Sequence, residues 1–265
     1  MNKAARQSAT IIGARCPYSR IEIAIIIDKE FSGLVDVMSV HDQIAYSELP
    51  DFPVGAGIEN GKVFIGMIDD APALVLRGVA TFHETGDPGL MSGPLETLSL
   101  LGVNAVLMID AGYSLRPDVR SGHFVAISDH INFTGFDPLI GQVSGFLDLT
   151  DVYDKRLVRR LKLAATQDVG PMREGVLIWF SGPTRQTPAE ARMARTLGAD
   201  VIGWSIAPEA ILARRFGLPF AAIALVTNQS SMFDVGKHST EQTTTVIAAN
   251  MAPLKRLLKS FIRAV

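Results

Sequence analysis

One pattern recurs three times in this chain and limits its fold more than any other feature: an amphipathic helix, a glycine, then an apolar strand. Gly93-Pro94-Leu95 opens the first unit, Leu98, Leu100 and Leu101 supply its apolar face, and Gly102 ends it before the run Val103 to Ile109. Thr187-Pro188-Ala189-Glu190 opens the second as a capping box with proline at the first helical position. Ala189, Met193 and Leu197 then share one helix face, and Gly198 closes the helix ahead of Val201 to Trp204. The third unit runs from Pro208-Glu209 to Phe216, breaks at Gly217 and resumes as Phe220 to Val226. Continuous apolar strands are buried on both faces, so this alternation predicts a twisted, mixed but largely parallel sheet flanked by helices, an α/β fold. Between Pro53 and Arg77, Asn60-Gly61 is a hairpin signal and Asp69-Asp70 marks a second turn, so three short antiparallel strands are expected there. Ser239 with Gln242 predicts a capping box for a C-terminal helix that buries Leu257, Leu258 and Phe261 and is kinked or restarted by Pro253.

Apolar segments run through all 265 residues without a polar linker, which predicts one domain over 1–265, with 1–20 as an N-terminal extension or helix. Twenty-five Lys and Arg against 27 Asp and Glu give a net charge of −2, and no basic block exists to track a phosphate backbone. Nucleic acid is therefore excluded as a partner. The most apolar run, Ile21 to Ile27, is interrupted by Glu22 and closed by Asp28-Lys29-Glu30, far short of the roughly 18 residues of a membrane span. No membrane segment or signal peptide is expected, and the single Cys16 fits a reducing compartment, so the expected location is cytoplasmic.

No phosphate-cradling glycine loop with lysine and no nucleophile elbow is present. The five histidines, at 41, 83, 123, 130 and 238, lack zinc-like spacing among themselves or with Cys16, so no metal is expected. In open α/β sheets, ligands gather at the carboxyl ends of parallel strands. That rule selects Asp110-Ala111-Gly112, Trp204-Ser205 and Thr227-Asn228, each of which reads either as a small-molecule site or as ordinary turn residues.

Longer strings carry more. Ile44-Ala45-Tyr46-Ser47-Glu48-Leu49-Pro50-Asp51-Phe52-Pro53, Ser128-Asp129-His130-Ile131-Asn132, Pro138-Leu139 and Gly182-Pro183-Thr184 resemble the trimeric purine nucleoside phosphorylase and methylthioadenosine phosphorylase family. So do Ala189-Glu190-Ala191-Arg192, Leu197-Gly198-Ala199-Asp200, Gly203-Trp204-Ser205 and Val226-Thr227-Asn228, in order from about residue 21 to 250. The resemblance implies a homotrimer that binds a small-molecule nucleoside or purine base. It implies a glycosyltransferase of purine metabolism, cleaving an N-glycosidic bond with inorganic phosphate as possible co-substrate and no other cofactor.

Carried over by position, the resemblance assigns Asn228 and His238 as catalytic residues. It assigns Ala111, Gly112, Arg185, Gln186 and Asn228 to the base, and His83, Trp204, Ser205 and His238 to the ribose. Lys29, Thr81, Asp110 and Ser205 fall on the phosphate side. Several positions depart from the family. Its glycine-rich phosphate loop is Asp28-Lys29-Glu30-Phe31-Ser32 here, its phosphate-binding Arg and His are Val79 and Thr81, and its stacking Phe and purine-anchoring Glu are Arg185 and Gln186. Two alternatives therefore stand beside phosphorolysis: a hydrolase-like relative in which water replaces phosphate, and a non-catalytic nucleoside- or base-binding homologue.

Overall fold

The computed structural model describes residues 2–54, 60–142, 145–231 and 239–263. Its strands are β1 (Ile23–Ile27), β2 (Ser39–Ala45), β3 (Lys62–Ile68), β4 (Ala71–Arg77), β5 (Val106–Ser114), β6 (Phe124–Asn132), β7 (Arg173–Trp179), β8 (Val201–Gly203) and β9 (Phe220–Gln229). Its helices are α1 (Lys3–Arg15), α2 (Phe82–Thr85), α3 (Ser92–Leu100), α4 (Lys155–Asp168), α5 (Pro188–Thr196), α6 (Ala207–Arg215) and α7 (Thr240–Arg263).

The strands form one mixed sheet in the order β2-β3-β4-β1-β5-β8-β7-β6-β9, and β5 also pairs with β9. That extra pairing closes β5, β8, β7, β6 and β9 into a ring, with β1, β4, β3 and β2 extending from β5 as an open wing. Five of the nine pairings among the described residues are parallel. Helices α1, α3 and α6 pack in one group and α4 with α7 in another, flanking the sheet. All five residues of β1 are buried, as are nine of the ten in β9 before Gln229, which is what strands covered on both faces require.

The three helix–glycine–strand units are present. Gly102, Gly198 and Gly217 end their helices at φ of 68°, 98° and 70°, a left-handed conformation that glycine adopts without a Cβ penalty. The Thr187 capping box forms in both directions, Glu190 N–H donating to Thr187 Oγ1 at 3.2 Å and Thr187 N–H to Glu190 Oε2 at 2.7 Å. Ser239 and Gln242 do the same at the start of α7.

Four expectations need correction. The meander is β2-β3-β4, and β2 lies at Ser39–Ala45, upstream of Pro53, so Asn60-Gly61 ends a long connection and does not make a two-residue hairpin. Helix α7 runs through Pro253 without ending, its Leu254, Leu257, Leu258 and Phe261 all buried, so tertiary packing outweighs the missing amide. The face of α5 that enters the core is Ala191 with Ala194, small side chains that seat the helix closely against Ile178 and Ile202, while Leu197 is half exposed. Finally, β5 does not stop at Ile109 but continues to Ser114, and β9 continues past Val226 to Gln229.

Candidate active site

Strands β4, β1, β5 and β9 are mutually parallel, and their carboxyl ends open on one cleft of about 260 Å³. Asp28, Lys29 and Glu30 enter it from the turn after β1, and Thr81, His83 and Glu84 from the segment after β4. The second half of β5 contributes Asp110, Ala111 and Tyr113, and the end of β9 contributes Thr227. Trp204 arrives just past β8, Pro183 and Arg185 after β7, and Thr240 and Thr243 from the first turn of α7.

Local structure fixes these groups. Asp28 caps the 3-10 turn that follows β1, its Oδ1 accepting from Lys29 N–H at 2.6 Å. Gly182, at φ 67°, lets the loop after β7 pass between His83 and Trp204, where a Cβ would stand 3.0 Å from each. The Trp204 ring meets Tyr113 edge to face at 5.1 Å, and the Arg185 guanidinium lies 5.5 Å from the centre of the Tyr113 ring. In β5, Gly112 faces β8 so closely that a Cβ would fall 2.6 Å from Val201 Cγ1, and the pairing with β9 bulges between Gly112 and Tyr113.

Ser205 is held by strain. Ile206 is buried with φ 73° and ψ −52°, and Ala207 N–H donates back to the Ser205 carbonyl at 2.9 Å. This tight γ-turn is unfavourable for a β-branched residue. It launches α6 and sets the Ser205 hydroxyl to donate to Asp110 Oδ2. Asp110 Oδ1 accepts the Ala111 amide at 2.7 Å.

The electrostatics of this end of the cleft are acidic. Burial, reinforced by the nearby Asp28 carboxylate, pushes Asp110 up to about 7. Burial also raises Asp28, and burial with repulsion from Asp28 raises Glu30. Behind Asp110, the buried Glu209 of α6 is pushed up to about 7, chiefly by burial and further by Asp110, and its Oε2 has no hydrogen-bond partner among the described residues. Lys29 is offset by Glu84, its Nζ 3.7 Å from Glu84 Oε1. Among the described residues, no group of three or more His, Cys, Asp and Glu could hold a metal ion.

Of the residues selected from sequence, Lys29, Thr81, His83, Asp110, Ala111, Arg185 and Trp204 line the cleft. Ser205 reaches the cleft through Asp110 and Asn228 through Thr227 and Thr243, whereas Gly112 and Gln186 are not among its lining residues. Asn228 is buried, its Nδ2 donating at 3.3 Å to the hydroxyls of Thr227 and Thr243, both of which line the cleft. Gln186 turns a buried Oε1 that lacks a partner among the described residues. His238 lies outside the described residues. Tyr113, Thr243 and Glu209 were not selected. Tyr113 lies beyond the expected end of β5, and Thr243 and Glu209 belong to helices that reach the site only through tertiary packing.

A family model described as the phosphorylase superfamily matches residues 29–263. Purine nucleoside phosphorylase 1 of Geobacillus stearothermophilus is 32% identical over 240 residues, covering 87% of this chain and 86% of that protein. The purine nucleoside phosphorylase of Mycobacterium leprae is 36% identical over 227 residues, 84% of this chain and 82% of its own. A crystal structure of a schistosoma purine nucleoside phosphorylase in complex with hypoxanthine superposes with a TM-score of 0.86 at 25% identity, covering 98% of this chain and 96% of that one. With a family match from the turn after β1 to the last turn of α7, and relatives above 30% identity over most of its length, this chain belongs to the phosphorylase superfamily.

Proposed function

We propose that the chain is a purine nucleoside phosphorylase-type pentosyltransferase. It cleaves the N-glycosidic bond of a purine or modified purine nucleoside, with inorganic phosphate as the family's acceptor for the pentose. The cleft at the carboxyl ends of β4, β1, β5 and β9 carries this reading, because it joins an aromatic wall, hydroxyl groups and carboxylates within the fold of a hypoxanthine-binding relative. The base is assigned to Ala111, Gly112, Arg185, Gln186 and Asn228, and the pentose to His83, Trp204, Ser205 and His238. Lys29, Thr81, Asp110 and Ser205 form the acceptor side. The Gln186 amide oxygen, buried without a partner among the described residues, is suited to accept an N–H from the purine edge. Asn228 is suited to stabilise the leaving purine by exchanging its long bonds to Thr227 and Thr243 for one to the base.

The assembly proposed is a homotrimer of one-domain subunits spanning 1–265. Phe133, Phe136, Ile140 and Phe146, all exposed on the segment after β6, support an apolar subunit contact. A cytoplasmic location is proposed, supported by the lone free Cys16. No helix among the described residues is long and apolar enough to cross a membrane. Incubating the protein with purine and pyrimidine nucleosides and phosphate, then quantifying free base by chromatography, tests the activity. Release of purine bases is expected. Release of pyrimidines alone, or of no base, would contradict it.

A further inference from the structure

The acceptor end of the cleft holds the chain's own carboxylate in an anion's place. Asp110 takes the Ser205 hydroxyl on one oxygen and the Ala111 amide on the other, and Asp28 and Glu30 face it across the same cavity. Among the described residues, the Lys29 Nζ lies 3.7 Å from Glu84 Oε1 and the Arg185 guanidinium lies over the Tyr113 ring. A phosphate dianion entering here meets three carboxyl groups, whereas a neutral water molecule is not repelled by them and can donate a hydrogen bond to them. Each Asp110 oxygen accepts one bond from the protein and retains a second lone pair for water.

We propose a further activity of this site: it transfers the pentose to water, with Asp110 as the general base. The proposal rests on the nucleoside-cleaving reading above. Asp110 accepts a proton from water as the water oxygen bonds to the anomeric carbon. The C–N glycosidic bond breaks, and its electron pair leaves with the purine, which takes up a proton. The products are free purine and free pentose, one water being consumed. Positive charge that grows on the pentose as the bond breaks is stabilised by Asp28 and Glu30, the same carboxylates that oppose phosphate.

The base must be ionised, so this activity falls as pH drops through the titration of Asp110. Among the described residues, the charged and titratable groups that share the cleft with that carboxyl are Asp28, Lys29 and Glu30 after β1, His83 and Glu84 of α2, Tyr113 of β5 and Arg185 after β7, and the buried Glu209 of α6 feels its charge.

The test uses the full-length protein and a purine nucleoside in phosphate-free buffer, measuring free purine, reducing pentose and, after phosphate is added, pentose 1-phosphate by phosphorus NMR. Purine and reducing pentose should appear in equal amounts without phosphate, with activity declining below about pH 7. Asp110→Asn, nearly isosteric and checked by its melting temperature, should lower hydrolysis by roughly 10²–10⁴-fold, the range for a lost general base. It should also lose the acidic decline. Purine release that requires phosphate and yields only pentose 1-phosphate would overturn the proposal while leaving the nucleoside-cleaving reading intact. So would wild-type hydrolysis in Asp110→Asn. Absence of purine release in both buffers would overturn that reading first, and this proposal with it.

Discussion

At the scale of single residues, the two carboxyl groups Asp110 and Glu209 are the most consequential, because both titrate near neutrality inside the protein. A carboxyl raised in the folded state binds its proton more tightly there than in the unfolded chain. It therefore lowers stability as pH rises from the ordinary carboxylate range toward 7 and has no further effect above the folded value. Glu209→Gln removes one such ionisation. Its melting temperature should rise relative to wild type at pH 8 and change little at pH 5, and a loss of stability at pH 8 would contradict the account. Asn228 presents a different case. Asn228→Ala should lower kcat by roughly 10²–10³-fold, the scale of losing one preorganised donor. A residue that merely braces Thr227 and Thr243 would instead lose stability and keep its turnover per folded molecule.

At the scale of elements, the site exists because four parallel strands end together and two of them run on past where their apolar runs stop. The helix–glycine–strand units were legible because Gly102, Gly198 and Gly217 must adopt positive φ, a demand written into residue type. The continuation of β5 through Asp110, Ala111 and Gly112 was not, since those residues read locally as a turn and it is pairing with β9 that keeps them extended, β8 joining only at Tyr113 and Ser114. The carboxyl-end rule still found Asp110, Trp204 and Thr227, because it depends on topology and tolerates an error of several residues in a boundary. It could not show that Asp110 binds Ser205, because that contact depends on the strained turn at Ile206, where residue type argues against positive φ. Gly112 tests this geometry. Gly112→Ala puts a methyl 2.6 Å from Val201 Cγ1 and should destabilise the fold by about 1–3 kcal/mol, the cost of overpacking. Thermal denaturation measures it, and an unchanged melting temperature would mean that β5 and β8 are less closely apposed.

At the scale of the whole molecule, the closed ring of strands leaves no open edge among its members, whereas the exposed Phe133, Phe136, Ile140 and Phe146 call for covering. Light scattering at micromolar concentration should give three times the mass of one chain, and Phe146→Asp should shift the distribution toward smaller species. A stable wild-type monomer would contradict the proposed assembly. Phosphate should bind weakly, with a dissociation constant of roughly millimolar or above, about −4 kcal/mol, because Asp28, Glu30 and Asp110 face its site. Micromolar binding that is lost in Lys29→Ala would show instead that a cationic pocket forms there. Beneath all of these lies one claim, that a purine nucleoside occupies the cleft at the carboxyl ends of β4, β1, β5 and β9 with its pentose toward Asp110. A crystal structure of the Asp110→Asn protein soaked with a purine nucleoside measures that directly. The account predicts the purine between Ala111 and Arg185 and the pentose over Trp204, with its anomeric carbon facing residue 110. A nucleoside bound elsewhere, or seated with its pentose turned away from residue 110, would contradict it.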